Sequence, residues 1–329
     1  DQRRTVISDE SVALEAEDLI PEEDVVITIT NQGYIKRIPL DTYRSQRRGG
    51  RGVTAMGTKE EDFVRHLFIT TTHHFFLFFT NQGKVYRLKV HEIPEAGRQA
   101  KGTAIVNLLY VESDERITTV IPVKDFDPRQ YLFTVTKRGM VKKTSLNEYD
   151  TSRRDGIIAI SLKGEDQLVD VKLTSGDEEI ILATKNGLAI RFPEKEVRPM
   201  GRNTNGVRGI KLSSRDEVIG MEIVRTDACL LAVTENGFGK RTQLPEYRPQ
   251  SRGGKGIINI KTTERNGSVV AIQVVKDEEE IMMISAEGII IRIKAEDIST
   301  MGRITQGVRL MRLDQGDSLV AVAKVYTEE

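Results

Sequence analysis

Six segments of the chain align on a glycine: "VVITITNQGYIKRI", "FFLFFTNQGKVYRL", "YLFTVTKRGMVKKT", "EIILATKNGLAIRF", "CLLAVTENGFGKRT" and "EIMMISAEGIIIRI". The anchors are Gly33, Gly83, Gly139, Gly187, Gly237 and Gly288, separated by 50, 56, 48, 50 and 51 residues. A period near 50 is the mark of a propeller or solenoid array, in which each unit buries its apolar face only by stacking on its neighbours. Each anchor lies between two short runs rich in apolar and β-branched residues. Asn-Gly, Gln-Gly, Arg-Gly or Glu-Gly stands at the tip, which predicts a tight hairpin whose glycine supplies positive φ. Thr30, Thr80, Thr136, Thr184, Thr234 or Ser285 stands three residues earlier, as a strand-end residue would.

Two further runs complete each unit, such as "AIVNLLYV" and "RITTVIPV" around the acidic turn Glu112 to Glu115. Four strands six times over predict an all-β fold: a six-bladed, propeller-like ring of four-stranded antiparallel blades, one domain over 1–329. Helical periodicity is nearly absent, with short turns expected near "AEDLI" and "KEEDFV". The N-terminal strand (Arg3 to Ser8) and the C-terminal one (Leu319 to Tyr326) are expected to lie near each other.

Hydrophobic residues make up 38% of the 329, enough for a core. The longest apolar run, Phe75 to Phe79, is far too short to cross a bilayer, and no charged-then-apolar leader opens the sequence. The expectation is a protein with no membrane partner, in a reducing, cytoplasmic compartment. A single cysteine, Cys229, rules out an internal disulfide and reads as a core thiol. The start at Asp1 suggests a piece of a longer polypeptide.

A second feature recurs after each hairpin: "QRRGGRG", "GRQAKG", "SRRDG", "GRNTNG", "SRGGKG" and "GRITQG". Its terminal glycine falls 19 residues after the anchor in five repeats and 17 in one, a fixed place in the unit. The segments from anchor to terminal glycine hold 27 of the 49 basic residues and 11 of the 49 acidic ones, a net of +16 within a chain of formal charge zero. A merely solvated surface has no reason to segregate sign six times at one structural place. A rim of Arg and Lys matches a polyanion running around it, contacting phosphates and releasing counterions.

The candidate DNA-binding residues are therefore those of the loops and of the strand after each anchor. The loops contribute Arg44, Gln46, Arg47, Arg48, Gly49, Gly50, Arg51, Gly52, Arg98, Lys101, Arg153, Arg154, Arg202, Arg252, Lys255 and Arg303. The strands contribute Lys36, Arg37, Arg87, Lys142, Lys143, Arg191, Lys240, Arg241 and Arg292, with one of each adjacent pair expected to face outward. Loop glycines would let backbone N–H groups approach phosphate, and arginine forks would bind its oxygens in pairs. Aromatics are sparse beyond Tyr43, Tyr86, Tyr149 and Tyr247, which favours duplex over single-strand stacking.

With these residues in view, the chain resembles the C-terminal domains of DNA gyrase A proteins over essentially its whole length. Gln46 to Gly52 matches that family's seven-residue signature at every position, and Gln250 to Gly256 is a near copy departing at Ser251 and Lys255. The opening "DQRRTVI" resembles the strand entering that domain from the catalytic core. The resemblance implies a β-pinwheel, in which neighbouring blades exchange strands. It also implies positive-handed wrapping of duplex DNA around the rim, so that the parent type IIA topoisomerase introduces negative supercoils. Partners so implied are the rest of gyrase A, together with gyrase B in an A2B2 holoenzyme, which would supply ATP and Mg2+ chemistry; this domain would hold no cofactor.

No Walker motif or GxGxxG occurs. His73 and His74 are adjacent and would point to opposite faces of a strand, and no metal site is expected. No tyrosine stands in a context that marks a DNA-cleaving nucleophile, and the domain is not expected to be an enzyme by itself. Three rival readings remain: a topoisomerase IV-type domain that bends DNA, which lacks or degrades the signature; a kelch-like protein-interaction propeller, which leaves the loop polarity unexplained; and a propeller enzyme with an acidic channel, for which no constellation is present.

Overall fold

The structure, a computed structural model, describes residues 19–40, 64–97, 99–151, 153 and 155–325. Arg44, the signature Gln46 to Gly52, Arg98, Arg154, the "KEEDFV" turn and the Arg3 to Ser8 strand lie outside the described residues.

Each anchor glycine turns a hairpin: Asp24–Thr30 with Tyr34–Pro39, Phe75–Thr80 with Lys84–Lys89, Tyr131–Thr136 with Met140–Ser145, Glu179–Thr184 with Leu188–Pro193, Cys229–Thr234 with Phe238–Gln243, and Glu280–Ser285 with Ile290–Lys294. The six anchors have φ between 77° and 87°, a region glycine enters without steric cost. The hydroxyl three residues earlier closes the turn; Thr30 Oγ1, for instance, accepts from the Tyr34 N–H at 3.1 Å.

The first hairpin strand of every blade pairs on its other side with an antiparallel inner strand from the same repeat: Val64–Thr71, Ile117–Val123, Leu168–Thr174, Val218–Ile223, Val269–Val275 or Leu319–Val325. From the second blade to the sixth these strands pack successively on one another, and Leu319–Val325 meets Val64–Thr71, bringing the last blade against the first. The outer edge comes from elsewhere. Thr103–Ala104 follows the second hairpin yet pairs with the first blade's Tyr34–Ile35. Ile157–Ile158, Val207–Arg208, Ile257–Ile258 and Val308–Arg309 are likewise handed back to the preceding blade. Five blades are thus four-stranded antiparallel sheets with an exchanged outer strand, and the sixth has three strands among the described residues.

The fourth strand is shorter than the run "AIVNLLYV" suggests: only Thr103 and Ala104 pair, and Ile105–Asn107 turns into a 3-10 helix. A staple fixes the exchange, because the anchor carbonyl of one blade accepts from the incoming segment of the next. Gly33 O takes the Ile105 N–H at 2.9 Å, and Gly83, Gly139, Gly187 and Gly237 repeat the bond.

The hydrophobic core lies between blades, which explains the unbroken apolar runs of the hairpins. A strand covered on both faces has no polar side to alternate with. In Phe75–Thr80, Phe76 and Phe78 pack with Val25, Ile27 and Ile29 of the first blade, while Leu77 and Phe79 pack with Leu132 and Leu146 of the third. Three further clusters of this kind join the third to the fourth, the fourth to the fifth and the fifth to the sixth blade. Cys229, expected in the core, is half-buried at the margin of the last of these.

Candidate nucleic-acid interface

The exchanged strand decides where the basic loops sit. The loops of the second to the sixth repeat immediately precede the two-residue strands, which places them on the outermost edge of the blade before their own repeat. The terminal glycine makes that fit possible. Gly102 has φ +87° and packs so closely that a Cβ would stand 2.6 Å from Ile35 O. Gly256 at φ +76° meets Ala189 O at 2.5 Å, and Gly307 at φ +77° meets Gly239 O at 2.6 Å. In Gly156 a Cβ would strike the Tyr86 ring at 2.7 Å. These glycines serve loop-to-strand contact, a role distinct from the approach to phosphate expected of loop glycines.

From the third repeat to the sixth, consecutive loops are joined. Arg202 Nη1 donates to Ile158 O of the preceding outer strand at 3.1 Å, Arg252 Nη1 to Arg208 O at 3.1 Å, and Arg303 Nη1 to Ile258 O at 3.0 Å. Lys211 N bonds Gly254 O and Lys261 N bonds Thr305 O, each at 2.8 Å. Glu148 and Glu196 carboxylates accept from the backbone N–H of Arg202 at 3.2 Å and Arg252 at 2.8 Å. The result is a belt of linked loops along the rim. These bonds use one or two of the five N–H donors a guanidinium carries. Arg153 and Lys255 are exposed, and Lys101 lies with its Nζ 3.8 Å from the Tyr34 ring centroid, a cation–π position.

The strand pairs behave differently from the expectation that one member faces outward. Lys36, Lys142 and Lys240 are each 0% exposed, and Lys143 and Arg241 are buried beside them. The reason is the exchange: one face of each pair is roofed by the rim loop, and the other by the 3-10 turn of the next repeat. Arg37 Nε donates to Ile93 O at 3.2 Å, Arg191 Nη1 to Tyr247 O at 3.2 Å, and Arg241 Nε to Ile298 O at 2.8 Å, each reaching the end of such a turn. Lys143 Nζ donates to Glu194 O at 3.3 Å, and Glu194 itself is buried, its carboxyl pushed up from the usual range mainly by desolvation. Arg87 binds Asp150 at 2.7 Å and lies over Phe75 with Cζ 4.9 Å from the ring centroid. Arg292, about half exposed, pairs with Glu280 on the neighbouring strand. The polarity of these segments therefore includes cations that staple blades together.

Burial lowers the three lysines: Lys36 and Lys240 to about 8 and Lys142 to about 7, desolvation being the chief cause in each. Tyr86, Tyr149 and Tyr247 are buried as well, and Tyr247 Oη donates to Asn259 Oδ1 at 2.6 Å, so these rings offer no stacking platform. His73 Nε2 lies 2.8 Å from Ile20 O and His74 Nδ1 2.7 Å from Thr70 Oγ1, so each has its own partner.

Exposed cations beyond the expected set complete the rim: Arg208, Lys211, Lys261, Arg309 and Arg312. They stand two or five residues past a terminal glycine, a spacing visible in the sequence but beyond the anchor-to-glycine segment.

A ring of antiparallel blades that exchange their outer strands defines a β-propeller of the pinwheel class. A family model described as "DNA gyrase C-terminal domain, beta-propeller" matches residues 24–71, 74–124, 130–175, 178–225, 230–276 and 279–325, one match per blade. The chain belongs to this family. It is 59% identical over 329 residues to the DNA gyrase A protein of Halalkalibacterium halodurans, covering 100% of this chain and 40% of that protein. It is 50% identical to the DNA gyrase A protein of Clostridium acetobutylicum over the same length, again 40% of that protein. Among solved structures, the C-terminal domain of DNA topoisomerase IV is similar at a TM-score of 0.83 and 30% identity, over 93% of this chain and 94% of that one. A DNA gyrase A C-terminal domain is similar at 0.72 and 29%, over 92% and 100%.

Proposed function

We infer that this chain binds duplex DNA along its rim and wraps it with positive handedness. It would thereby present a segment for strand passage, so that a parent gyrase introduces negative supercoils. The observation carrying the reading is the belt: basic loops on the outermost edges of successive blades, with those of the fourth, fifth and sixth repeats each bonded to the segment before. Bending 20 to 30 base pairs by 40 to 90° costs on the order of 1–6 kcal/mol, which a row of weak phosphate contacts can offset and a single pocket cannot. The signature Gln46 to Gly52 and its near copy Gln250 to Gly256 add the sequence evidence.

On this reading the partners are the rest of gyrase A, which carries the cleaving tyrosine, and gyrase B, which hydrolyses ATP with Mg2+. The working compartment is the bacterial cytoplasm. This domain needs no cofactor of its own for wrapping, which is binding and not bond-making.

The test is topological. Nicked circular DNA is loaded with the chain at rising ratios, sealed with ligase, stripped of protein and resolved on a gel. A positive linking-number shift that grows with protein and is lost when Arg47, Arg48 and Arg51 are replaced by alanine supports the reading; retarded DNA with no shift overturns it. The second reading, a topoisomerase IV-type bender, draws on the TM-score of 0.83 to that domain and predicts the unshifted result.

A further inference from the structure

Three lysines at one repeat position have lost contact with solvent, yet each reaches the same element. Lys36, Lys142 and Lys240 stand three residues after their anchors, on the second hairpin strands of the first, third and fifth blades. Each side chain runs under the rim loop docked on its own blade. Lys36 Nζ donates to Gly97 O and Ala100 O, both at 3.0 Å. Lys142 Nζ donates to Gly201 O at 3.3 Å, Arg202 O at 2.5 Å and, from below, to Ala159 O. Lys240 Nζ donates to Gly302 O at 2.6 Å and Arg303 O at 2.8 Å.

The partner is constant in kind. In all three, the ammonium binds the carbonyl of the glycine that opens the loop, and all three loops open with Gly-Arg: "GRQAKG", "GRNTNG", "GRITQG". In sequence, the loops "SRRDG" and "SRGGKG" open with serine, and the blades that pair with the strands following them carry Tyr86 and Ile190 at the lysine's position. The loop's first residue and the buried strand residue therefore change together along the chain.

Stability alone does not ask for a lysine here. Ile190 and Tyr86 fill the same place fully buried or nearly so, and an apolar side chain avoids desolvating a cation. What the ammonium adds is orientation. It draws two loop carbonyls inward, so the negative ends of those peptide dipoles point away from the rim, where a phosphate would meet them unfavourably. It also fixes the backbone at Arg202 and Arg303, whose guanidinium groups form the belt.

We propose that Lys36, Lys142 and Lys240 are positioning residues of the DNA-binding rim, clamps that hold its glycine-opened loops in the conformation that receives duplex phosphates. The proposal rests on the wrapping reading above and assigns the lysines no direct contact with DNA.

The decisive variant is Lys36→Ile, Lys142→Ile and Lys240→Ile together, which puts into three blades the residue Ile190 already supplies in another. No exposed charge is removed. The variant and the wild-type chain are compared in the nicked-circle assay and in titrations of a linear duplex over a salt series, beside a core variant, Val135→Ala, of similar melting temperature. Single variants, Lys36→Met and Lys240→Met, replace the triple one if it fails to unfold cooperatively.

The expected result is a linking-number shift cut at least about twofold, with duplex affinity weakened about threefold or more at fixed salt, while Val135→Ala keeps both at wild-type level. The salt slope should become shallower, since a disordered loop engages fewer phosphates. An undiminished shift in the lysine variants overturns the clamp and leaves the wrapping reading standing. Equal losses in the lysine and core variants also overturn it, by reducing the lysines to ordinary stabilisers. A wild-type chain that gives no shift sinks the wrapping reading itself.

Discussion

Arg202 of one rim loop donates its Nη1 hydrogen to Ile158 O of the neighbouring outer strand at 3.1 Å, so the rim is a connected structure and not a set of independent loops. Arg202→Ala removes one charge-assisted bond at a half-buried position and should cost about 0.5–1.5 kcal/mol of stability. If the remaining N–H groups meet phosphate, the slope of log Kobs against log salt should also fall by about 1. Arg202→Lys should keep the charge and lose the bond. A slope unchanged in the alanine variant would assign Arg202 to architecture alone.

Gly102 and Gly33 share a positive φ and differ in surroundings. A Cβ on Gly33 meets nothing within 4 Å, whereas one on Gly102 meets Ile35 O at 2.6 Å. Gly33→Ala should therefore cost only the left-handed backbone strain, about 1–2 kcal/mol. Gly102→Ala should cost clearly more, because backbone atoms of the first blade must shift. Urea unfolding of both variants measures the difference. Equal costs would show that the loop lifts off its strand easily.

The six-blade plan was legible because one glycine repeats at nearly constant spacing and each hairpin must turn through positive φ. Strand exchange was not: nothing in "KGTAIVN" says that Thr103 and Ala104 pair with Tyr34 and Ile35 instead of their own hairpin. That connectivity entered only through resemblance, and it carries consequences for the charges. A period-2 reading of Lys36 and Arg37 supposes one open face, whereas the exchanged loop covers one side and the following 3-10 turn the other. Arg153 and Lys255 are exposed as a surface loop would have them, whereas Lys101 is half-buried against Tyr34. Arg208 and Arg309 lie just past the glycine that closes each basic segment, so the charge pattern between anchor and glycine does not contain them.

Lys142 gives stability a pH dependence of known sign. Desolvation lowers it from 10.5 to about 7, with Glu148 drawing it back up and Arg202 pushing it further down. The unfolded chain binds the proton more tightly than the folded one, so the penalty is fully present below about pH 7. It is lifted progressively between there and 10.5. Lys142→Met removes this titration and keeps every other one. The wild-type chain should therefore gain on the variant by on the order of 4 kcal/mol as pH rises from 6 to 10, read by urea unfolding at each pH. A gap that stays constant would mean the carbonyls of Ala159, Gly201 and Arg202 fully replace the lost water.

The sixth blade is built from the same repeat but less deeply covered. In Ile290–Lys294 the side chains alternate between half-buried and exposed, whereas the equivalent Leu188–Pro193 buries Ala189, Ile190 and Phe192 completely. Five clusters join successive blades from the first to the sixth, and among the described residues none joins the sixth back to the first, where Leu319–Val325 and Val64–Thr71 are neighbours. Local opening follows buried apolar contact, so amides of Ile290–Lys294 should exchange at least about tenfold faster than those of Leu188–Pro193. Exchange measured by mass spectrometry on the DNA-free chain tests this. Equal protection would mean that the seam is held as firmly as the other five junctions, and that rim strain from bent DNA would spread evenly around the ring. The expected gradient instead makes the sixth-to-first junction the place where the ring yields first under that strain.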